Sequence, residues 1–427
     1  MTLTERILII CVLAVLAVKP AAQAQGDTAT AKSRLIVGGY GEAVYNHNFY
    51  SDNVFRYSFP DRYKQSAGHG RVDLPHAVLM LGYDFGHGWT MGTEIEFEHG
   101  GTESAVEIET EETGEFEKEI ERGGEVALEQ FWIQKSFAPA LNLRMGHIVV
   151  PVGMTNSNHL PTQFFTVYRP EGENTIMPCT WHETGVSLWG RWRSLRYEAQ
   201  LLPGLNSNYF NNSGWVHDGS ASPYEFRPAN KLAGAVRVDF TGIKGLRLSL
   251  SGYVGNSFNN DIVTDKRTRY DDVKGTVLIG AFDFAYRNRW LVVRGNADYG
   301  HLSDAAVIGP RNQNQNHSTS SPYPHTLVGE KAMATGIEAG VDVLAATNTR
   351  HKLFLFGRYD YYDSFIPADG QADFGWSDRN VFTAGVNYYP IPEIAIKAEG
   401  GIRILGEEYN NEPFVAVGVT WAGYFNK

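Results

Sequence analysis

In "WTMGTEIEFEH" (residues 89–99), Glu94, Glu96 and Glu98 fall on one parity and Trp89, Met91, Thr93, Ile95 and Phe97 on the other. Successive side chains of an extended strand point to opposite faces, so the acids line one side and the apolar residues the other. Carboxylates in such a row set the field of a water-filled passage. Catalysis would need a nucleophile beside a base. The nearest local pairs are His182-Glu183 and His317-Ser318, and both lie in or beside expected loops. There is no H-E-x-x-H, no G-x-S-x-G and no Cys/His zinc spacing. An enzyme is therefore not expected, nor a metal site or a cofactor. Cys179 reads as a passive loop thiol.

Which side of the 89–99 strand faces the protein's own interior depends on the solvent outside. A soluble sandwich buries the apolar face; a membrane barrel turns it to lipid and lines its lumen with the acids. Period-two stretches recur at 33–46, 74–85, 88–99, 124–136, 140–150, 183–192, 194–203 and 231–241. They continue at 244–255, 275–286, 288–300, 333–344, 351–363, 379–389, 393–404 and 412–424. The expectation is about sixteen antiparallel strands, with no long helix and no domain boundary.

The connections alternate in length. "GH", "APA", Arg193, "GI", "ATNTRH" and "IPE" are short, whereas every other connection is long. Short periplasmic turns and long extracellular loops are how a transmembrane β-barrel is built. Tyr83, Phe85, Trp89, Trp192, Tyr286, Trp290 and Tyr388 collect beside the short turns, as an interfacial girdle does. The final strand puts Val415, Val417, Val419, Trp421 and Phe425 on one parity. The fold expected is all-β, a transmembrane antiparallel barrel spanning 25–427, with the acids of 89–99 facing water inside.

Residues 1–24 read as an export signal. Arg6 precedes an apolar run from Ile7 to Val18, and Ala22-Gln23-Ala24 offers a cleavage site. The run is too short for a membrane helix. Of the two cysteines, only Cys179 lies beyond residue 24, so no internal disulfide can form after cleavage. A formal charge of −11 argues against nucleic acid as a partner. The location expected is the outer membrane of a Gram-negative bacterium, in contact with lipid and lipopolysaccharide.

"LRMGHIVVPVG" (143–153) resembles the LR-x-G-x-x-x-x-P-x-G signature of phosphate-selective porin O/P-type outer-membrane proteins. "TGVSLWG" (184–190), "RYDYYD" (358–363) and "IKAEGG" (396–401) are similar to that family's later strands. The resemblance implies a sixteen-stranded homotrimeric porin whose third long loop, here 151–182, folds inward as a constriction.

Phosphate selectivity is not expected to carry over. By strand parity, the basic pore-lining set is Arg144, Arg191, Arg196, Arg237, Arg247, Arg294, Arg358, Lys397 and Arg403. The inward acids include Glu94, Glu96, Glu98, Asp298, Asp360 and Glu399, and the constriction loop sets Arg169 against Glu171 and Glu173. A mixed wall gives a weak field, whereas selective filters use one sign. The reading is passive diffusion of small hydrophilic solutes or ions, weakly selective and leaning to cations. The alternative is an adhesin or partner-docking barrel with a narrow or plugged lumen.

"ESAVEIETEETGEFEKEIERGGE" (103–125) is flanked by Gly100-Gly101 and Gly123-Gly124, placed symmetrically about Glu112 and Thr113. That symmetry predicts an acidic hairpin extending above the membrane, either a solvated arm or one that contacts divalent cations or lipopolysaccharide.

Overall fold

The structure, a computed structural model, describes residues 34–99, 104–109, 117–122, 126–222, 224–262, 270–314 and 323–426. The expected export signal lies outside them.

Seventeen strands form one antiparallel sheet that closes on itself. In chain order the first nine are β1 (Leu35–Asn48), β2 (His69–Asp73), β3 (His76–Gly86), β4 (Trp89–Glu98), β5 (Ser104–Glu109), β6 (Glu117–Arg122), β7 (Val126–Ala138), β8 (Leu141–Val149) and β9 (His182–Trp192). Then come β10 (Leu195–Pro203), β11 (Leu232–Ile243), β12 (Leu246–Asn256), β13 (Thr276–Arg287), β14 (Leu291–Leu302) and β15 (Lys331–Asp342). The last four are β16 (Lys352–Ile366), β17 (Asp378–Ile391), β18 (Ile394–Ile404) and β19 (Glu412–Tyr424). β5 and β6 stand apart as a two-stranded ribbon.

β2 and β3 count as one barrel strand. Both pair with β1, β3 along Leu35–Gly41 and β2 along Val44–Asn48. Leu74-Pro75 separates them; proline has no N–H to give the ladder. The barrel therefore has sixteen staves, and each expected strand overlaps one of them. β1 closes the ring by pairing with β19, from Gly38↔Tyr424 to Asn48↔Phe414. Closure removes every sheet edge, which a bilayer requires because it offers no water to unpaired backbone groups.

The solvation is inverted relative to a soluble protein. Val415, Val417 and Val419 of β19 are exposed, while Ala416 and Thr420 between and beyond them are buried. The same holds around the ring, with Leu128, Val236, Leu250, Leu278, Ile337, Leu355, Phe382 and Ile396 all facing outward. An apolar outer band this continuous is what lipid covers. Phe85, Trp89, Trp192 and Trp290 are exposed at the short-turn end. The ribbon pairs Ser104 with Arg122 and Glu109 with Glu117, as the acidic hairpin predicts. Its expected turn and flanking glycine pairs lie outside the described residues.

Short helices, absent from the sequence reading, interrupt the long loops at Pro60–Tyr63, Met154–Ser157, Glu171–Ile176 and Ala305–Gln313.

Candidate functional site: a barrel interior crossed by a loop

The connection between β8 and β9 (150–181) turns into the barrel and packs there. Val150, Val152, Phe165, Val167, Ile176, Met177 and Trp181 are all 2% exposed or less. Polar anchors fix its path. Lys397 Nζ donates to the carbonyls of Pro161 (2.6 Å), Phe164 (3.0 Å) and Thr166 (2.8 Å). Glu399 accepts from Val167 N at 2.8 Å, and Asn387 Nδ2 donates to Phe165 O at 2.8 Å. On another part of the wall, Arg237 Nη1 donates to Gly153 O at 2.9 Å and Ser251 Oγ accepts from Gly153 N at 3.0 Å. A side chain at Gly340 would overlap the Phe165 ring, so the loop's close approach needs glycine there.

Within the loop, Glu173 accepts from Met154 N (2.5 Å) and from both Thr155 N (2.6 Å) and Thr155 Oγ1 (2.5 Å). Burial nonetheless pushes its carboxyl above the usual range. Glu171 sits against Arg403, with Nη2 at 2.6 Å. Arg169 is half-buried, and its buried Nη2 has no hydrogen-bond partner among the described residues. Burial pushes the Cys179 thiol up to about 12, which suits an inert loop thiol.

The wall residues named from parity all belong to inward positions, but they divide into two groups. Arg237, Asp298, Arg358, Asp360, Lys397 and Glu399 are almost wholly covered. They brace the loop and one another. Arg358 Nη2 lies 2.5 Å from Asp360 and its Nη1 3.5 Å from Glu338, while Asp298 accepts from Asn296 at 2.6 Å. Arg237 also bridges Asp239 (2.7 Å) and Asp283 (2.8 Å). Parity shows which face a residue takes and is blind to a loop laid over that face.

Arg144, Arg191, Arg196, Arg247, Arg294 and Arg403 keep some access to solvent. Arg144 reaches Gln134 Oε1 at 3.0 Å and stacks 4.4 Å from the Trp132 ring centre. Arg196 pairs with Glu198 (2.5 Å), Arg247 with Asp283 (3.2 Å) and Arg294 with Glu338 (2.5 Å).

The accessible charge is not evenly mixed. Two cavities open at the short-turn end. One, of about 650 Å³, is lined by Lys244, Arg247, Arg287, Arg294, Arg350 and Lys352, with no carboxylate among its described lining. The other, of about 710 Å³, holds Arg144, Arg191, Arg193, Arg196, Arg237 and Arg247 against Glu198 and Asp239. A third, of about 410 Å³ on the other side of the loop, mixes Arg56, Arg71, Arg169, Arg379 and Arg403 with Asp52, Glu171, Asp360, Glu399 and Glu412.

Glu94 and Glu96 face inward and are buried, with Glu98 half-buried beyond them. Sequence reasoning missed what gathers around them. A register shift between β4 and β7 pairs Glu94 with Gln130 and Ile95 with Leu128. Both Glu129 and Gln130 are thereby turned in, and Glu129 accepts from Tyr40 Oη at 3.0 Å. His76 was also missed, because the proline beside it hides the strand period. Lys244, Arg287, Arg350 and Lys352 sit in turns or at strand ends, where parity gives no orientation.

A second loop also packs inward without having been foreseen. Trp215, from the connection between β10 and β11, is fully buried and its indole donates to Gly329 O at 3.0 Å. Gly300 lies against its ring, where a Cβ would overlap it. With Trp181, Leu205, Phe210, Ile279 and Ala334 it forms an apolar core inside one side of the barrel.

The histidine pair does not form a catalytic couple. His182 Nε2 lies 3.4 Å from Glu129, while Glu183 is taken by Arg227 at 3.1 Å. His317 lies outside the described residues.

No family model matches the chain. A protein of Aquifex aeolicus (strain VF5), described as uncharacterized, is 26% identical over 400 residues, covering 91% of this chain and 80% of that protein. Among solved structures, an anion-selective porin from Comamonas acidovorans superposes with a TM-score of 0.52 at 10% identity, over 91% of this chain and 99% of that one. Salmonella typhi OmpF, in complex with daunomycin, gives 0.52 at 12% identity, over 91% and 97%. The outer membrane channel DcaP of Acinetobacter baumannii gives 0.50 at 11%, over 93% and 100%. The fold is that of the sixteen-strand outer-membrane porins.

Proposed function

We propose that this chain is an outer-membrane diffusion channel for small hydrophilic solutes or ions, with 1–24 as its export signal. The observation that carries the reading is the pairing of an apolar outer face with polar cavities on both sides of an inward loop. Such a loop narrows a barrel without filling it. We read the short turns as periplasmic, and lipid and lipopolysaccharide as the surroundings. The likeness of "LRMGHIVVPVG" to the phosphate-selective porin O/P type fits this reading, and a homotrimer follows from it.

The ion preference we propose is weak and leans to anions, reversing the cation lean expected from sequence. The basic lining of the two short-turn cavities supports this, because an electropositive mouth concentrates anions. Planar-bilayer recording in a salt gradient tests both points. Steady conductance with a reversal potential on the anion side supports the proposal; a cation-side potential overturns the preference. Absence of conductance favours the adhesin or docking reading, which the apolar core around Trp215 would suit.

A further inference from the structure

A row of ligand-bearing side chains crosses three neighbouring strands on the barrel's inner face. Gly41 of β1 pairs with Ala77 of β3, and His76 of β3 pairs with Glu98 of β4. Glu42, His76 and Glu98 therefore stand side by side, with Glu96 at the next inward position of β4.

The imidazole has a carboxylate beside each nitrogen, and only one of them is within hydrogen-bond distance. Its Nδ1 lies 2.6 Å from Glu96 Oε1, and its Nε2 lies 3.7 Å from Glu42 Oε1. A carboxylate on one nitrogen fixes the ring and leaves the other free to ligate, as around metal-binding histidines generally. Two donors on one tetrahedral zinc stand about 3.3 Å apart, so the Nε2–Glu42 gap is close to that of a shared cation. Glu96 and Glu98 complete the set: one ligand atom from each of His76, Glu96 and Glu98 lies within 4.8 Å of the others.

An independent observation points the same way. Glu42 is only 6% exposed, and its Oε2 has no hydrogen-bond partner among the described residues. A buried carboxylate oxygen left without a donor is costly, and a cation would satisfy it. Glu94 Oε2 is in the same condition. The surrounding charge is one-sided. Glu42, Glu96 and Glu129 share the electrostatic influence of Arg169, while Lys397 gives its ammonium to loop carbonyls.

We propose that His76 and the carboxylates of Glu42, Glu96 and Glu98 together bind one divalent transition-metal cation of the zinc class. The mixed nitrogen and oxygen donors favour such an ion over calcium or magnesium. The ion would clamp β1, β3 and β4 across the break at Pro75.

The test is calorimetric titration of the full-length barrel in detergent with Zn²⁺, after chelator treatment. The proposal expects one site per chain, weakened at least tenfold by His76→Gln and by Glu42→Gln. His99→Gln, whose Nδ1 instead meets Asp73 at 2.8 Å, should leave the affinity unchanged. Heat-modifiable gel migration reports whether each variant is a folded barrel. If His76→Gln does not assemble, Glu42→Gln and zinc-edge X-ray absorption on the wild type decide. A shell containing one imidazole supports the site. A shell without imidazole, no stoichiometric uptake, or an affinity that Glu42→Gln leaves untouched would overturn it.

Discussion

Arg403 of β18 grips Glu171 of the inward loop with two nitrogens, Nε at 2.8 Å and Nη2 at 2.6 Å from the carboxylate oxygens. The bidentate fork fixes direction as well as distance. Burial pushes the Glu171 carboxyl up, but the Arg403 guanidinium outweighs that and holds it below the usual range. A carboxylate depressed by folding contributes fully above its unfolded pKa, and the contribution is lost as pH falls through the lowered folded value. Loop tethering should therefore be constant around neutrality and weaken only on acidification below the ordinary glutamate range. Open-channel noise measured against pH should rise there in the wild type. In Glu171→Gln the noise should be raised at every pH, without that step.

Lys397 is the second tether, and it acts differently. Its ammonium satisfies three loop carbonyls at once and is 1% exposed. Lys397→Met keeps much of the volume but leaves the carbonyls of Pro161, Phe164 and Thr166 without that donor. Each buried group so orphaned costs roughly 1–3 kcal/mol, enough to displace the segment. Limited proteolysis should cut the variant within 159–170 while the wild type resists, and gel migration should still report a closed barrel. Equal resistance of the two proteins would show that the remaining anchors and Phe165 packing hold the loop without Lys397.

Topology follows from the alternation of connections. A tag inserted in "EETGEF" (111–116) or "NQNQNHSTSS" (312–321) should be labelled on intact cells. A tag at "RNR" (287–289) or in "PIPE" (390–393) should not be. The opposite pattern would invert the orientation.

The sixteen staves were legible because lipid and lumen impose opposite demands on alternate residues. That signal repeats along every strand, and Val415, Val417 and Val419 against Ala416 and Thr420 display it plainly. The inward loop was legible as a segment through its resemblance, and its anchors were not. Lys397 and Arg237 look in sequence like any inward basic residue, because nothing local says that a distant backbone will lie over them. Glu129 was hidden by a bulge, which breaks the period on which parity depends. The entry of Trp215 was hidden because loop apolar residues carry no period at all.

The basic mouth gives a graded prediction for ion preference. Arg287, Arg350 and Lys352 line the carboxylate-free cavity, and none has an ion-pair partner among the described residues. Neutralising all three to Gln should move the reversal potential toward cations and leave assembly intact. Arg358→Gln should move it little, since that guanidinium is 5% exposed and committed to Asp360 and Glu338. It should instead destabilise the interior. Equal shifts from the surface triple and from Arg358 would mean that the buried wall, not the mouth, sets the field.

The register of the closing strand can be tested one residue at a time. Val417 is 48% exposed on the outer face, whereas Thr420 is 1% exposed and paired in register with Glu42 of β1. Val417→Arg places a guanidinium in lipid, at a cost of roughly 2–4 kcal/mol near the bilayer midplane. Thr420→Arg sends it inward beside a carboxylate that has an unpartnered oxygen. Gly418 is the poorer inward control, because a Cβ there would meet Val167 Cγ1 at 3.2 Å. Outer-membrane assembly, read from heat-modifiable migration, should fall sharply for Val417→Arg and Val419→Arg and far less for Thr420→Arg. If both parities tolerated arginine equally, the outer face of β19 would not be meeting lipid.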